Sequence, residues 1–223
     1  MNIRLSAIEA RIIGALIEKQ ITTPDQHPLS LNALVNACNQ KSNREPLMQL
    51  DERTVKTVVD SLCRRHFVLE KSGFGSRVPK YQHIFCNTEF GSLRFTPQET
   101  AIVCELLVRG PQTPGELRAR VTRMAELPDP DAIETLLAAL AARPDGAIVA
   151  QLPRESGRRD SRWAQLFEEL PEIVPATEPA EPRAAPAPVR AAPGELAARV
   201  ASLESEVAAL RAELELLRQE LKP

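Results

Sequence analysis

Two short spacings in this chain have the residue types of a metal site: Cys63-x-x-His66 and His83-x-x-Cys86. Zinc takes those ligands, often from pairs so spaced. Their periodicity argues the other way. Cys63 falls beside an apolar helical stripe, and His83 and Cys86, three apart on a strand, point to opposite faces. The expectation is no metal, with the cysteines serving as small apolar core residues. With three histidines in all and no Ser/His/Asp or paired-carboxylate pattern, a catalytic assignment has no footing. Gly73-x-Gly75 resembles half a dinucleotide fingerprint, but Val78 stands where the next glycine belongs and the segment lies between two strands. Gly110-Pro111-Gln112-Thr113-Pro114-Gly115 has phosphate-loop spacing. Glu116 follows it in place of lysine, and its two prolines remove N–H groups that would cradle phosphate. The chain is read as non-enzymatic and free of cofactors.

What the sequence offers instead is binding surface. Lys+Arg total 28 and Asp+Glu 30, a net charge of −2 that excludes a globally basic nucleic-acid coat. The balance is uneven: residues 1–90 carry 12 basic and 9 acidic side chains, residues 168–223 carry 6 and 11. Within the first ninety, Arg53 and Lys56 lie off the apolar stripe of one helix. Lys71, Arg77 and Lys80 surround a glycine-bearing turn with no acidic residue between them. A helix near a groove and a basic hairpin along the backbone suit the phosphates of duplex DNA. Arg158, Arg159 and Arg162 form a second basic hairpin. The helix before it opens with Asp129, Asp131 and Glu134, which phosphate would repel. A polar stretch between two early helices holds Asn39, Gln40, Lys41, Asn43 and Arg44. Loops so rich in donors tend to carry contacts, so these five are a candidate partner surface, for protein or nucleic acid.

The elements that must position these groups come in two copies. Leu5-Ser6-Ala7-Ile8-Glu9 and then Ile12, Ile13, Leu16 and Ile17 recur ninety positions later as Phe95-Thr96-Pro97-Gln98-Glu99 and then Ile102, Val103, Leu106 and Leu107. Both are capping boxes opening an amphipathic helix. A second helix follows through Leu31, Leu34, Val35 and Cys38, or through Leu117 and Val121 behind Thr113-Pro114. A third begins at Asp51 or Asp129. Two strands then flank a turn, at Phe67–Glu70 and Lys80–Phe85, and again at Ala147–Leu152 and Arg162–Phe167. The prediction is a mainly α fold with small β-hairpins, an α+β class. Two tandem winged-helix domains span residues 1–90 and 91–170.

Beyond them, seven prolines and seven alanines between Pro171 and Pro193 predict a semi-extended Pro/Ala-rich linker over 171–194. Residues 195–222 predict a coiled-coil helix: Leu196, Val200, Leu203, Val207, Leu210, Leu214, Leu217 and Leu221 alternate spacings of four and three. The flanking charges attract in a parallel pair, as in Glu206 with Arg211 and Glu213 with Arg218, so the expected state is a parallel homodimer, the alternative being a single helix folded back on its own body, which the linker permits. No apolar run approaches the length of a membrane span, and cysteine usage fits a reducing cytoplasm.

Thr22-Thr23-Pro24-Asp25, Pro28 to Leu34, Ala37-Cys38-Asn39-Gln40-Lys41-Ser42-Asn43-Arg44-Glu45-Pro46 and Gly75-Ser76-Arg77-Val78 followed by Lys80-Tyr81-x-His83 resemble the YceH-like family of bacterial proteins over residues 3–170. His27 departs from that pattern, where tyrosine is expected. The resemblance implies tandem winged-helix domains and leaves activity open. Two functions stay in play: a DNA-associated protein of regulatory type using its first module and both wings, or a protein–protein adaptor whose winged helices dock a partner segment. Basic hairpins favour the first and net acidity the second.

Overall fold

Ser6 and Thr96 act as their capping boxes predict. Each hydroxyl accepts from the N–H three residues on (3.3 and 3.2 Å), and the Glu9 or Glu99 carboxylate accepts from the cap N–H at 2.8 Å. In the computed structural model, which describes residues 3–71, 78–89, 91–129, 131–155 and 160–168, they open helices α1 (Ala7–Thr22) and α4 (Pro97–Arg109).

After α1 come a 3₁₀ turn at Pro24–Gln26, strand β1 (Leu29–Ser30) and helices α2 (Leu31–Cys38) and α3 (Glu52–Arg64). Strands β2 (Val68–Lys71) and β3 (Lys80–His83) complete this half. The three strands form an antiparallel sheet in the order β1-β3-β2. The second half runs α4, α5 (Pro114–Val121), α6 (Ala132–Ala141), β4 (Val149–Gln151) and β5 (Trp163–Gln165), with β4 and β5 antiparallel. The class is α+β with small antiparallel sheets.

Two details differ from expectation. β1 is too short for an alternation pattern to announce it. It exists because Leu29 pairs with Tyr81, and its counterpart in the second half is a single bridge from Gln112 to Trp163. Helix α6 starts at Ala132, three residues after Asp129. The Asp129 carboxylate accepts from Asp131 N–H at 2.9 Å and caps no helix.

The halves delimited near residue 90 share one hydrophobic core inside a single compact unit, Met1–Ile173. α1 is buried at every position from Ala10 to Glu18, and α4 from Thr100 to Val108, because each has its own half on one side and the other helix against the rest. Equivalent residues of the repeat meet across this seam. The Cys104 thiol donates to the Gly14 carbonyl at 3.3 Å, and the rings of Phe85 and Phe167 meet edge to face at 5.0 Å. Phe67 adds a second such contact to Phe85 at 5.6 Å, each pair contributing about 1 kcal/mol beyond its burial. Leu5 N–H closes the unit by donating to the Phe167 carbonyl at 2.7 Å. Among the described residues no helix is long and apolar enough to cross a membrane. The 171–194 linker and the 195–222 heptads lie outside the described residues.

Candidate nucleic-acid interface

α3 carries the first candidate cations. Asp51 caps it by accepting from Thr54 N–H at 2.6 Å, and that bond holds the Asp51 carboxyl below its ordinary range. Val55, Val59 and Leu62 face the core, which turns Arg53 outward. The Arg53 side chain has no ion-pair partner among the described residues. Lys56 is already engaged: its ammonium lies 2.6 and 2.7 Å from the two Asp60 oxygens, a bond that raises its pKa.

The hairpin supplies the second group. Lys71 ends β2, Lys80 begins β3, and the register sets them directly opposite one another. Both are exposed, and neither side chain is paired among the described residues. Like charges facing across a ladder weaken it by up to about 1 kcal/mol. In the second half, Arg162 is bound to the Glu155 carboxylate, and α6 carries Glu134 without a lysine or arginine. Arg77, Arg158 and Arg159 lie outside the described residues. Among the candidate cations that the structure describes, the exposed and unpaired ones, Arg53, Lys71 and Lys80, lie on the first half.

The polar loop corrects the sequence-based expectation. Asn39 is turned onto its own loop: its amide donates to the Leu50 carbonyl at 2.7 Å and its carbonyl accepts from Leu50 N–H at 2.8 Å. Gln40 accepts from Lys19 at 3.4 Å. Asn43 and Arg44 point into the body, and Arg44 is 4% exposed. Of the five, Lys41 alone remains outward and unengaged among the described residues. The donors are legible in the sequence; the acceptors of Asn43 and Arg44, buried on helices far away in sequence, are not.

Those acceptors are Glu18 on α1 and Glu105 on α4, both effectively buried. The Arg44 guanidinium grips Glu18 through two nitrogens at 2.5 and 3.3 Å. Arg123, from the turn after α5, donates to Glu18 at 2.5 Å and to Glu105 at 3.1 Å. The Asn43 amide reaches the same two carboxylates at 3.3 and 3.1 Å. Burial by itself would raise the Glu18 carboxyl. The hydrogen bonds and charge of Arg44, then Arg123 and Lys19, override it and hold the group at about 2. Two carboxylates and two guanidiniums from four segments, with the Lys19 ammonium 3.7 Å from Glu18, join the halves. Glu18 is bound through both oxygens and Glu105 through Oε1, and both acids are hidden from solvent, so the cluster is an internal ion lattice. Arg11 adds to it by donating to the carbonyls of Cys38 and Pro46 at 3.2 and 2.7 Å, pinning the loop to α1. The one sequence signal of this lattice is Glu18 itself, a charge placed directly after the apolar pair Leu16-Ile17 on a face the stripe does not cover.

The cysteine–histidine pairs differ in exposure. His66 is exposed at the end of α3, whereas His83 and Cys86 are buried, and burial pushes the Cys86 thiol up to about 12. Among the described residues no group of three or more His, Cys, Asp or Glu side chains is placed to hold a metal ion.

Known proteins agree with the motif resemblance. A family model described as "Protein of unknown function, DUF480" matches residues 5–158. The chain is 55% identical over 190 residues to a UPF0502 protein of Aeromonas hydrophila, covering 82% of this chain and 87% of that one. It is 59% identical over 167 residues to UPF0502 proteins of Aeromonas salmonicida and Vibrio campbellii, covering 75% of this chain and 76% and 77% of theirs. With the greater part of its length matched by the model, and relatives this similar along most of theirs, the chain belongs to the DUF480 family.

Proposed function

We propose that the chain is a non-enzymatic protein of two winged-helix modules whose first module contacts the phosphate backbone of duplex DNA. The module assignment is supported by the order helix, strand, helix, helix, strand, strand in the first half and by the Gln112–Trp163 bridge standing for the first strand in the second. The observation that carries the DNA reading is the Lys71–Lys80 pair, two exposed cations held face to face without an acid between them. An anion shared by both would relieve their repulsion. Replacing both with alanine should weaken binding about equally for all sequences and shallow the log–log salt dependence by roughly one to two units. A titration of duplex DNA across salt concentrations measures both. No binding by the wild-type chain at low salt would refute the reading.

The second reading is an adaptor that docks a partner segment. It is favoured by large apolar side chains left in water, Leu47 at 65% exposed and Val78 at 54%. Absence of DNA binding would leave it in place.

We also propose that the 195–222 heptads make the protein a parallel homodimer. Light scattering at tens of micromolar should find the full chain dimeric and a chain ending at Leu170 monomeric. A dimeric truncated chain would assign dimerisation elsewhere.

A further inference from the structure

We propose that the cleft between the C-terminal end of α1, strand β3 and the start of α4 binds an uncharged small molecule presenting an amide- or nucleobase-type donor–acceptor edge. The cleft encloses about 500 Å³, within the usual range of small-molecule sites. Two ring nitrogens on residues that line it, His27 Nε2 and His83 Nδ1, are buried and have no hydrogen-bond partner among the described residues. His83 is itself only 9% exposed. Buried polar atoms are nearly always paired, so two orphans on one cleft mark a place where a bound molecule completes the pairing.

The lining chooses the ligand's chemistry. Apart from the histidines, none of the described residues around the cleft carries a charge. Both imidazoles are neutral near pH 7. Burial, followed by the neighbouring His27, pushes His83 down to about 4, and burial, followed by Lys71, lowers His27. Among the lining residues an anion would find no fixed cation and a cation no carboxylate, so a neutral ligand fits best.

Asn87 and Thr100 are already satisfied within the protein: Asn87 accepts from Phe95 N–H at 2.7 Å and donates to Thr100, which donates to the Thr96 carbonyl. Gln20 and Gln82 are different, because neither side-chain amide is engaged among the described residues. An amide sets a donor beside an acceptor, the arrangement that pairs with another amide or with a nucleobase edge. Ile17, Ile21, Ile84 and Met124 provide the apolar remainder. The site stands on these groups alone and does not depend on DNA binding.

Adenosine and nicotinamide are the probes, with benzoate as the anionic control, added to the ¹⁵N-histidine-labelled full chain. Proton–nitrogen correlation spectra should show saturable shifts of the His27 and His83 ring nitrogens with at least one neutral probe. His66, exposed outside the cleft, should stay still. Gln20→Ala and Gln82→Ala, at exposed and half-buried positions that folding does not need, should each weaken that binding about ten-fold. The proposal is overturned if neither neutral probe moves His27 and His83 by about 10 mM. It is equally overturned if all three histidines shift alike, if benzoate shifts them as strongly, or if both glutamine variants bind like the wild type.

Discussion

Glu18→Gln should lower the stability of this protein by about 3–5 kcal/mol, the usual cost of leaving one partner of a buried ion pair uncompensated. For a folded body of this size that is a fall in melting temperature of roughly 10 °C. The residue merits the upper part of the range for a geometric reason. Its carboxylate is the shared acceptor of Arg44, Arg123 and Asn43, and Arg44 has no exposure through which water could replace it. Glutamine keeps the shape and removes the charge, so the buried guanidinium, unable to deprotonate, is left facing a neutral amide. The double variant Glu18→Gln, Arg44→Gln should lose less than the sum of the two single losses, since each single change strands what the other would remove.

The same residue makes an acid prediction. In the folded chain the Glu18 carboxyl is held at about 2 against an ordinary value of 4.5, so the unfolded chain is the better proton acceptor in that interval. The contribution, roughly 3 kcal/mol, is fully present above about pH 4.5 and is lost as pH falls towards about 2. Glu18→Gln should flatten that limb of the stability profile and leave the profile near pH 7 parallel to the wild type. Urea unfolding of the full chain at several pH values reads both effects. A variant within about 0.5 kcal/mol of wild type would show that the cluster is not a structural junction.

The contrast between what the sequence announces and what it hides runs along this junction. Capping boxes, apolar spacings and turn residues are local signals, and they place α1 through α5 and the two hairpins within a residue or two of their positions. Thr113 and Glu116 even form a third box, readable from Thr113-Pro114-Gly115-Glu116 once one looks for it. The face-to-face placement of Lys71 and Lys80 follows from the strand register. Side-chain direction in the 39–50 loop was not implicit, because it depends on acceptors from α1 and α4. An apolar stripe reports the face a helix turns to its own half. Nothing in it reports that α1 has a second buried face made of Arg11, Gly14 and Glu18, which exists because the repeat packs on itself. The orphaned nitrogens of His27 and His83 belong to the same class: the residues are far apart in the chain and meet in one cleft only after folding.

Gly14 gives the sharpest test of that second face. It lies mid-way along α1, where glycine costs a helix about 1 kcal/mol relative to alanine, so on propensity alone Gly14→Ala should stabilise. The packing reverses the sign. A Cβ at this position would sit 2.7 Å from Val108 Cγ1 and 2.9 Å from Leu107 Cβ, with the Leu107 carbonyl carbon at 3.4 Å. A valine methyl can rotate away; a leucine Cβ moves only with its backbone. Room for the methyl therefore requires α1 and α4 to part, loosening the Cys104–Gly14 bond and the ion lattice one turn further on. Overpacking of this kind costs about 1–3 kcal/mol, so Gly14→Ala should be net destabilising and Gly14→Val more so, by roughly 3 kcal/mol or above. Gly115 in α5 is the built-in control. Nothing lies within 4 Å of its would-be Cβ, so Gly115→Ala should stabilise by a few tenths to about 1 kcal/mol. Two helical glycines given the same substitution should therefore shift the unfolding midpoint in opposite directions. A Gly14→Ala chain as stable as its parent would mean that the two halves do not meet backbone to backbone at this turn.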